Sequence, residues 1–283
     1  MRYDFYHLKH NSINIHLSIK RVRMPYTNKI ITRLNSFFIE IGALSYFTGR
    51  FFKELFKRPF EFKEIMRQAY NMGNQSLLLV GITGFIIGLV LTLQTRPTLM
   101  EFGAVSWMPS MVGISIVREI GPIITALVCA GKIGSGIGAE LGSMRVTEQI
   151  DAMEVSGTNP FKYLVVTRVL AITLMLPLLV IIGDAVALYG SYLVENVKGD
   201  VSFHLYFSQV FESLEFGDII PATIKTFFFG LAIGLVGCFK GYYCEKGTVG
   251  VGVAANSAVV FTSLLLFIID FIAVFVTDIF YDI

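Results

Sequence analysis

The chain carries little charge. Only 16% of its 283 residues are Asp, Glu, Lys or Arg, whereas 54% are hydrophobic and 25 are Phe, and the mean hydropathy is +0.66. Soluble domains hold about 25% charged residues, so an ordinary soluble domain is excluded and a polytopic membrane protein is left. Cysteine is scarce. Cys129, Cys238 and Cys244 fall in or beside apolar stretches without metal-ligand spacing, which excludes a disulfide framework and a zinc site and makes them packing residues. A Walker A motif is also missing: Gly131-Lys132 precedes Ile133 and has no upstream glycine at the P-loop position. Gly134, Gly136 and Ala139 mimic a dinucleotide fingerprint, but without the strand-turn-helix setting that gives it meaning. The chain is therefore expected to be no enzyme, to hold no cofactor or metal, and to bind no nucleic acid.

What is present is long apolar runs. Runs long enough to cross roughly 30 Å of hydrocarbon lie near 76–95, 111–131, 164–188, 219–240 and 251–277. The expected fold is all-α, with five transmembrane helices. Of the 23 Lys and Arg, 13 precede residue 68; Lys132, Arg145, Lys162 and Arg168 surround the 132–168 connection, and Lys240 and Lys246 lie between the last two spans. The other side has Arg96, Lys198 and, near a span end, Lys225. The positive-inside rule then places the N-terminus and residues 241–250 in the cytoplasm, and loops 96–110 and 189–218 and the C-terminus on the far side.

The N-terminal region differs from the rest. Residues 1–26 are polar and basic and lack the apolar core of a secretory signal; they are expected to be a disordered tail or a non-native extension, with Met24 as an alternative start. Residues 27–72 are assigned to interfacial amphipathic helices and 73–283 to a five-span membrane domain. Ile30, Leu34, Phe37, Ile41, Leu44, Phe47, Phe51 and Leu55 recur every three or four residues among Lys29, Arg33, Arg50, Lys53 and Lys57. That pattern predicts a helix lying in the interface, with its apolar stripe in the acyl boundary and its cations at the headgroups; the alternative is a soluble helix packed on a partner.

Between the second and third spans, Thr147 to Asn159 read TEQIDAMEVSGTN before Pro160. Glu148, Asp151 and Glu154 would each cost several kcal/mol in hydrocarbon, so this short amphipathic helix, 147–159, must face water. Thr147 is expected to cap it, Glu148 and Asp151 complement its dipole, and Gly157 stops it. Ile150, Met153 and Val155 would offer an apolar surface to a partner.

Two features lie in the membrane. Gly134, Gly138 and Gly142 form a GxxxGxxxG stripe suited to close helix packing, repeated by Gly230 and Gly234. Arg118-Glu119, followed by Gly121-Pro122, sits about 10–12 Å into the hydrocarbon when counted from Met111 at 1.5 Å per residue. Charges there face a cavity or one another, and both readings stand: a ligand site, or an ion pair with another helix. For Asp184, Lys225 and Asp270, each taken alone, a structural or interfacial role is favoured.

The order REIGP, ITALVCAGKIGSGIGAELGSM, TEQIDAMEVSGTNP, a long span and a closing helix pair resembles the MlaE family of ABC permeases, which move phospholipids with MCE-domain partners. The resemblance runs from about Phe37 to the C-terminus and is densest between Arg118 and Pro160. It implies a homodimer in the inner membrane, a separate cytoplasmic ABC ATPase, a periplasmic MCE-domain protein and a lipid cavity between the two permease subunits. It also implies that Arg118 and Glu119 lie beside the cavity, and that Glu148, Ile150, Asp151, Met153 and Glu154 belong to a cytoplasmic coupling helix contacting the ATPase. Two other classes are weighed against it. An ion-coupled secondary transporter would use Glu119, Asp184 and Asp270 as a proton relay, yet such folds usually repeat their halves and no internal repeat is visible; a non-transporting scaffold would leave Arg118 and Glu119 without a role.

Overall fold

A computed structural model describes residues 29–57, 60–245 and 247–281. The expectations for residues 1–26 lie outside these. Among the described residues the regular structure is helical, and five helical stretches are long and apolar enough to cross a membrane: Phe62–Glu101, Val105–Val146, Phe161–Gly199, Phe216–Tyr242 and Thr248–Ile279. The first, α2 (Phe62–Glu101), has 40 residues and continues without a break past position 72. At 1.5 Å per residue it is about 60 Å long, roughly twice the hydrocarbon thickness, so it extends well beyond the bilayer.

Helix α1 (Lys29–Leu55) precedes it, and the chain divides into two compact units between Ser45 and Tyr46. In the first unit Phe38 and Ile39 are exposed. In the second, the apolar stripe takes a different course from the one expected of an interfacial helix. Phe47 and Phe51 are fully buried, and Phe47 meets Phe161 and Phe239 edge-on at centroid distances of 5.0 and 5.5 Å. Protein aromatics, rather than acyl chains, cover this end of the stripe, because π edges and faces there find complementary rings.

The second span is a continuous helix interrupted by two π turns: α3 (Met108–Ser115), a π turn (Ile116–Ile120), α4 (Gly121–Cys129), a second π turn (Ala130–Gly134) and α5 (Ser135–Val146). The short α6 (Gln149–Val155) connects it to a π turn at Phe161–Val166 and α7 (Thr167–Gly199). Beyond α7, α8 (Phe203–Ser213) lies at the opposite end of the spans from α6, and α9 (Phe216–Tyr242) and α10 (Thr248–Tyr281) close the fold.

Backbone contact holds the spans together. A Cβ on Gly88 would lie 1.8 Å from the Ala187 carbonyl oxygen, and one on Gly190 would lie 2.6 Å from that of Phe85, so α2 and α7 touch main chain to main chain. Where lipid tails are as apolar as Leu, such contact drives association. At the α8 end, Ser191 is hydrogen-bonded to Thr92 and receives the Tyr206 hydroxyl, both at 2.6 Å, beside a core of Leu99, Met108, Val112 and Val210. Burial pushes the Tyr206 phenol up to about 12.

The glycine stripe of α5 also packs within the chain. A Cβ on Gly138 would meet Ala255 and Ala258 of α10 at 3.3 and 3.5 Å, one on Gly142 would meet Cys244 at 3.3 Å, and Gly237 of α9 approaches the Gly134 carbonyl oxygen.

Candidate functional site

The charged pair of the second span sits in the π turn Ile116–Ile120. Neighbouring residues on a helix point about 100° apart, and here they go to different partners. Glu119 accepts from Lys225 of α9 at 2.6 Å, and Lys225 also donates to Asp270 of α10 at 3.0 Å. Arg118 faces Asp218 in the first turn of α9 at 3.6 Å, beyond hydrogen-bond range. Asp218 is itself fixed, since it accepts from the Glu215 backbone amide in a capping box that starts α9. Three helices therefore meet in one polar cluster within the membrane domain.

The two cations are not equivalent. Lys225 is 4% exposed at its side chain and held by two carboxylates, as a buried ammonium must be if it is to stay charged. Arg118 is a quarter exposed and donates no hydrogen bond among the described residues. Apart from this ion pair with Asp218, its fork of N–H groups remains available to a ligand. The sequence pointed to Arg118 and Glu119; it did not join them to Asp218, Lys225 and Asp270, which lie about a hundred or more positions away.

Beside this cluster runs an apolar groove of about 740 Å³ between α9 and α10, lined by Ile224, Phe228, Ile269, Ile272 and Val276. Lys225 and Pro221 border both the groove and the charged cluster. The volume falls in the ~300–1,000 Å³ range of small-molecule sites. Charge at one end and hydrocarbon along the other is a surface for an amphiphile.

Asp184 stands apart. It is buried in α7, its Oδ1 has no hydrogen-bond partner, and it packs so closely on Gly121 that a Cβ there would lie 1.7 Å from that oxygen. It takes no part in the hydrogen bonds that link Glu119 to Asp270.

At the other end of the spans, α6 differs in two respects from expectation. Thr147 does not cap it: its hydroxyl donates to the Ser143 carbonyl and it ends α5, while Glu148, in the left-handed region at φ 59°, occupies the cap position. A tight reversal between two helices needs that backbone shape. Ile150 is 1% exposed and anchors α6 to its own chain, so it offers nothing to a partner; Met153 is half-buried, and Val155 is 90% exposed. Glu148, Asp151 and Glu154 face solvent, and Asp151 accepts from Arg145 at 2.5 Å. Gly157, at φ 82°, ends the helix as expected. Asn159 then donates to Glu54 of α1 at 3.1 Å, and the Lys162 ammonium donates to the Lys57 carbonyl. Glu54 also accepts from Lys57, and that ammonium lowers its pKa below the ordinary carboxylate value.

Comparison with known proteins fits this architecture. A family model described as Permease MlaE matches residues 65–276. The probable ABC transporter permease protein of Rickettsia felis is 37% identical over 256 residues, covering 90% of this chain and 98% of its own. A probable ABC transporter permease of Synechocystis is 32% identical, over 84% and 90% of the two chains. The intermembrane phospholipid transport system permease protein MlaE of Haemophilus influenzae is 34% identical over 212 residues, 75% of this chain and 81% of its own. With the family model spanning most of its length, the chain belongs to the MlaE permease family.

Proposed function

We propose that the protein is the membrane subunit of an ABC transporter that moves phospholipid between membranes, with Arg118 as the principal headgroup contact. The observation that carries this reading is the juxtaposition of a cation with unused donors and an apolar groove. A phospholipid needs both, and a guanidinium binds phosphate through charge-assisted, bidentate hydrogen bonds that strengthen in a dry site. The cluster has two cations, Arg118 and Lys225, and three carboxylates, Glu119, Asp218 and Asp270. Both signs suit a zwitterionic headgroup, with phosphate at Arg118 and ammonium at the surplus carboxylate. The Haemophilus relative, named for phospholipid transport, supports the cargo.

Energy comes from another polypeptide in this reading, since the chain has no nucleotide-binding motif. Spans two and three meet water through α6, whose exposed Glu148, Asp151, Glu154 and Val155 form the surface for a cytoplasmic ATPase. Ile150 fastens α6 to the spans, so a push on α6 reaches α5 and α7. The N-terminus and α6 lie in the cytoplasm, and α8 and the C-terminus lie in the periplasm, where an MCE-domain protein docks on a homodimer of this chain. A photo-crosslinker at Arg118 or Ile224 in the assembled complex is expected to capture phospholipid, whereas one on the outward face of α10, at Phe271, captures far less; equal capture at all three would overturn the assignment.

A further inference from the structure

A second polar cleft lies at the α6 end of the membrane domain, remote from the Arg118 cluster. Its volume is about 490 Å³, and its walls are the start of α2, with Gln68, Asn71 and Gln75, and the second π turn and α5, with Lys132, Gly136 and Glu140. Gln75 ends just before the apolar run of span one and Lys132 just after that of span two. The cleft is thus level with the headgroups of one leaflet.

The charges in it are unevenly satisfied. Arg67, at the rim, holds Glu64 at 2.8 Å, and Glu140 accepts from Arg168 at 2.8 Å while leaving about half its side chain exposed. Elsewhere in the spans Arg96, Arg118, Arg168 and Lys225 each face a carboxylate within 4 Å. Lys132 is exposed and has no such partner among the described residues, and Asn71 and Gln75 are likewise exposed with their amides unbonded. Gln68 is nine-tenths buried and donates to Glu64 at 2.8 Å, and its carbonyl oxygen accepts no hydrogen bond among the described residues.

The glycines of the GKIGSGIGAELG stretch divide between two faces. Gly134, Gly138 and Gly142 touch α9, α10 or the turn between them, whereas a Cβ on Gly131 or Gly136 would meet nothing within 4 Å. Helix packing therefore accounts for three of the five. Gly136, on the floor of the cleft, keeps open a space that any side chain would fill.

We infer that this cleft is a second phospholipid headgroup site, in the leaflet on the α6 side, with Lys132 on the phosphate, the amides of Asn71 and Gln75 on its remaining oxygens, and Glu140 toward a headgroup amine. The inference rests on the lipid-permease reading and adds to it a place where lipid is held before or after it occupies the Arg118 site. A lone cation with free amide donors gives the phosphate charge-assisted hydrogen bonds, and the bare glycine backbone lets a bulky headgroup come close.

The test uses the full chain in the complex that co-purifies with it, in nanodiscs of equal parts phosphatidylethanolamine and phosphatidylglycerol with a radiolabelled phospholipid. A photo-crosslinker at Gln75 is expected to capture the lipid. Lys132→Gln lowers that capture about tenfold, the scale of one charge-assisted hydrogen bond, and Gly136→Leu lowers it at least as much by filling the cleft, while a crosslinker at the outward-facing Leu78 is unaffected. Millimolar inorganic phosphate leaves capture unchanged. Capture at Gln75 that ignores both substitutions means annular lipid only and overturns the site, and so does displacement by free phosphate, which would make it a phosphate site. If capture fails at Gln75 but persists at Arg118, the second site is wrong and the permease reading stands; failure at both positions removes the permease reading as well.

Discussion

The two π turns of span two are the same backbone device put to different uses. Both widen a helix locally, a feature often found at functional sites. At Ile116–Ile120 the turn presents Arg118 and Glu119 to carboxylates and an ammonium from α9 and α10. At Ala130–Gly134 it leaves Lys132 over an open cleft with no carboxylate partner among the described residues, while Gly134 lies against α9. One turn is embedded in side-chain pairing and the other is held by backbone packing. The difference lies in the neighbouring helices, because a π turn sets only where a side chain starts.

Removing the first turn's support is expected to have the largest effect on stability. Lys225→Ala leaves Glu119 and Asp270 without their shared cation in a largely buried site, and losing one partner of a buried pair costs about 3–5 kcal/mol; Glu119 is partly exposed, which places the loss at the lower end. A lowered melting temperature in detergent checks this, and Lys225→Met combined with Glu119→Gln and Asp270→Asn should recover most of it.

The packing face around the second turn comes next. Gly138→Leu would drive a side chain into Ala255 and Ala258, with a cost of about 1–3 kcal/mol for overpacking, while Gly136→Leu, two residues away over open space, should leave the melting temperature unchanged. Equal losses at the two positions would erase the distinction between the faces.

Smaller in stability, but large in assembly, is the change at α6. Glu154→Lys removes an exposed carboxylate that has no side-chain partner among the described residues and should weaken retention of the ATPase on affinity purification through unpaired interface charge. Asp151→Lys is less diagnostic, since it also breaks the contact with Arg145. Full ATPase recovery with Glu154→Lys would argue against α6 as the docking element.

The smallest effect concerns Glu54, whose folded pKa lies below its ordinary 4.5 because Lys57 bonds it. A depressed carboxylate contributes stability that is complete above its unfolded pKa and disappears as the pH falls through the folded one. The wild type should therefore lose a little more stability than Glu54→Gln between neutral pH and about pH 4, measured as melting temperature against pH.

Much of this architecture was legible in the chain. Five spans follow from apolar run length alone, because hydrocarbon thickness sets a length that needs no tertiary information. Arg118 and Glu119 stood out because charge in such a run is costly. Their partners did not, since a pairing between residues about a hundred positions apart depends on which helices come together, and Lys225 and Asp270 each look like ordinary span-end charges in isolation. The approaches of Gly84 to Gly183, Gly88 to Ala187 and Gly190 to Phe85 are not legible in the sequence for a related reason: contact between two main chains leaves only a small residue as its trace, without the regular spacing of Gly134, Gly138 and Gly142. Thr147 shows a local failure. A good capping residue lost its place because the chain reverses at Glu148 first, and the hydroxyl satisfied the helix behind it.

The most direct measurement is lipid transfer by the reconstituted complex carrying Arg118→Ala, compared with wild type alongside ATP hydrolysis and subunit recovery. Arg118 donates no hydrogen bond among the described residues, so its removal should leave assembly and ATPase activity intact while transfer falls by about tenfold or more, the scale of one charge-assisted contact to phosphate. Transfer at the wild-type rate by an intact complex would contradict the account, and so would a complex that no longer assembles, which would make Arg118 a structural partner of Asp218.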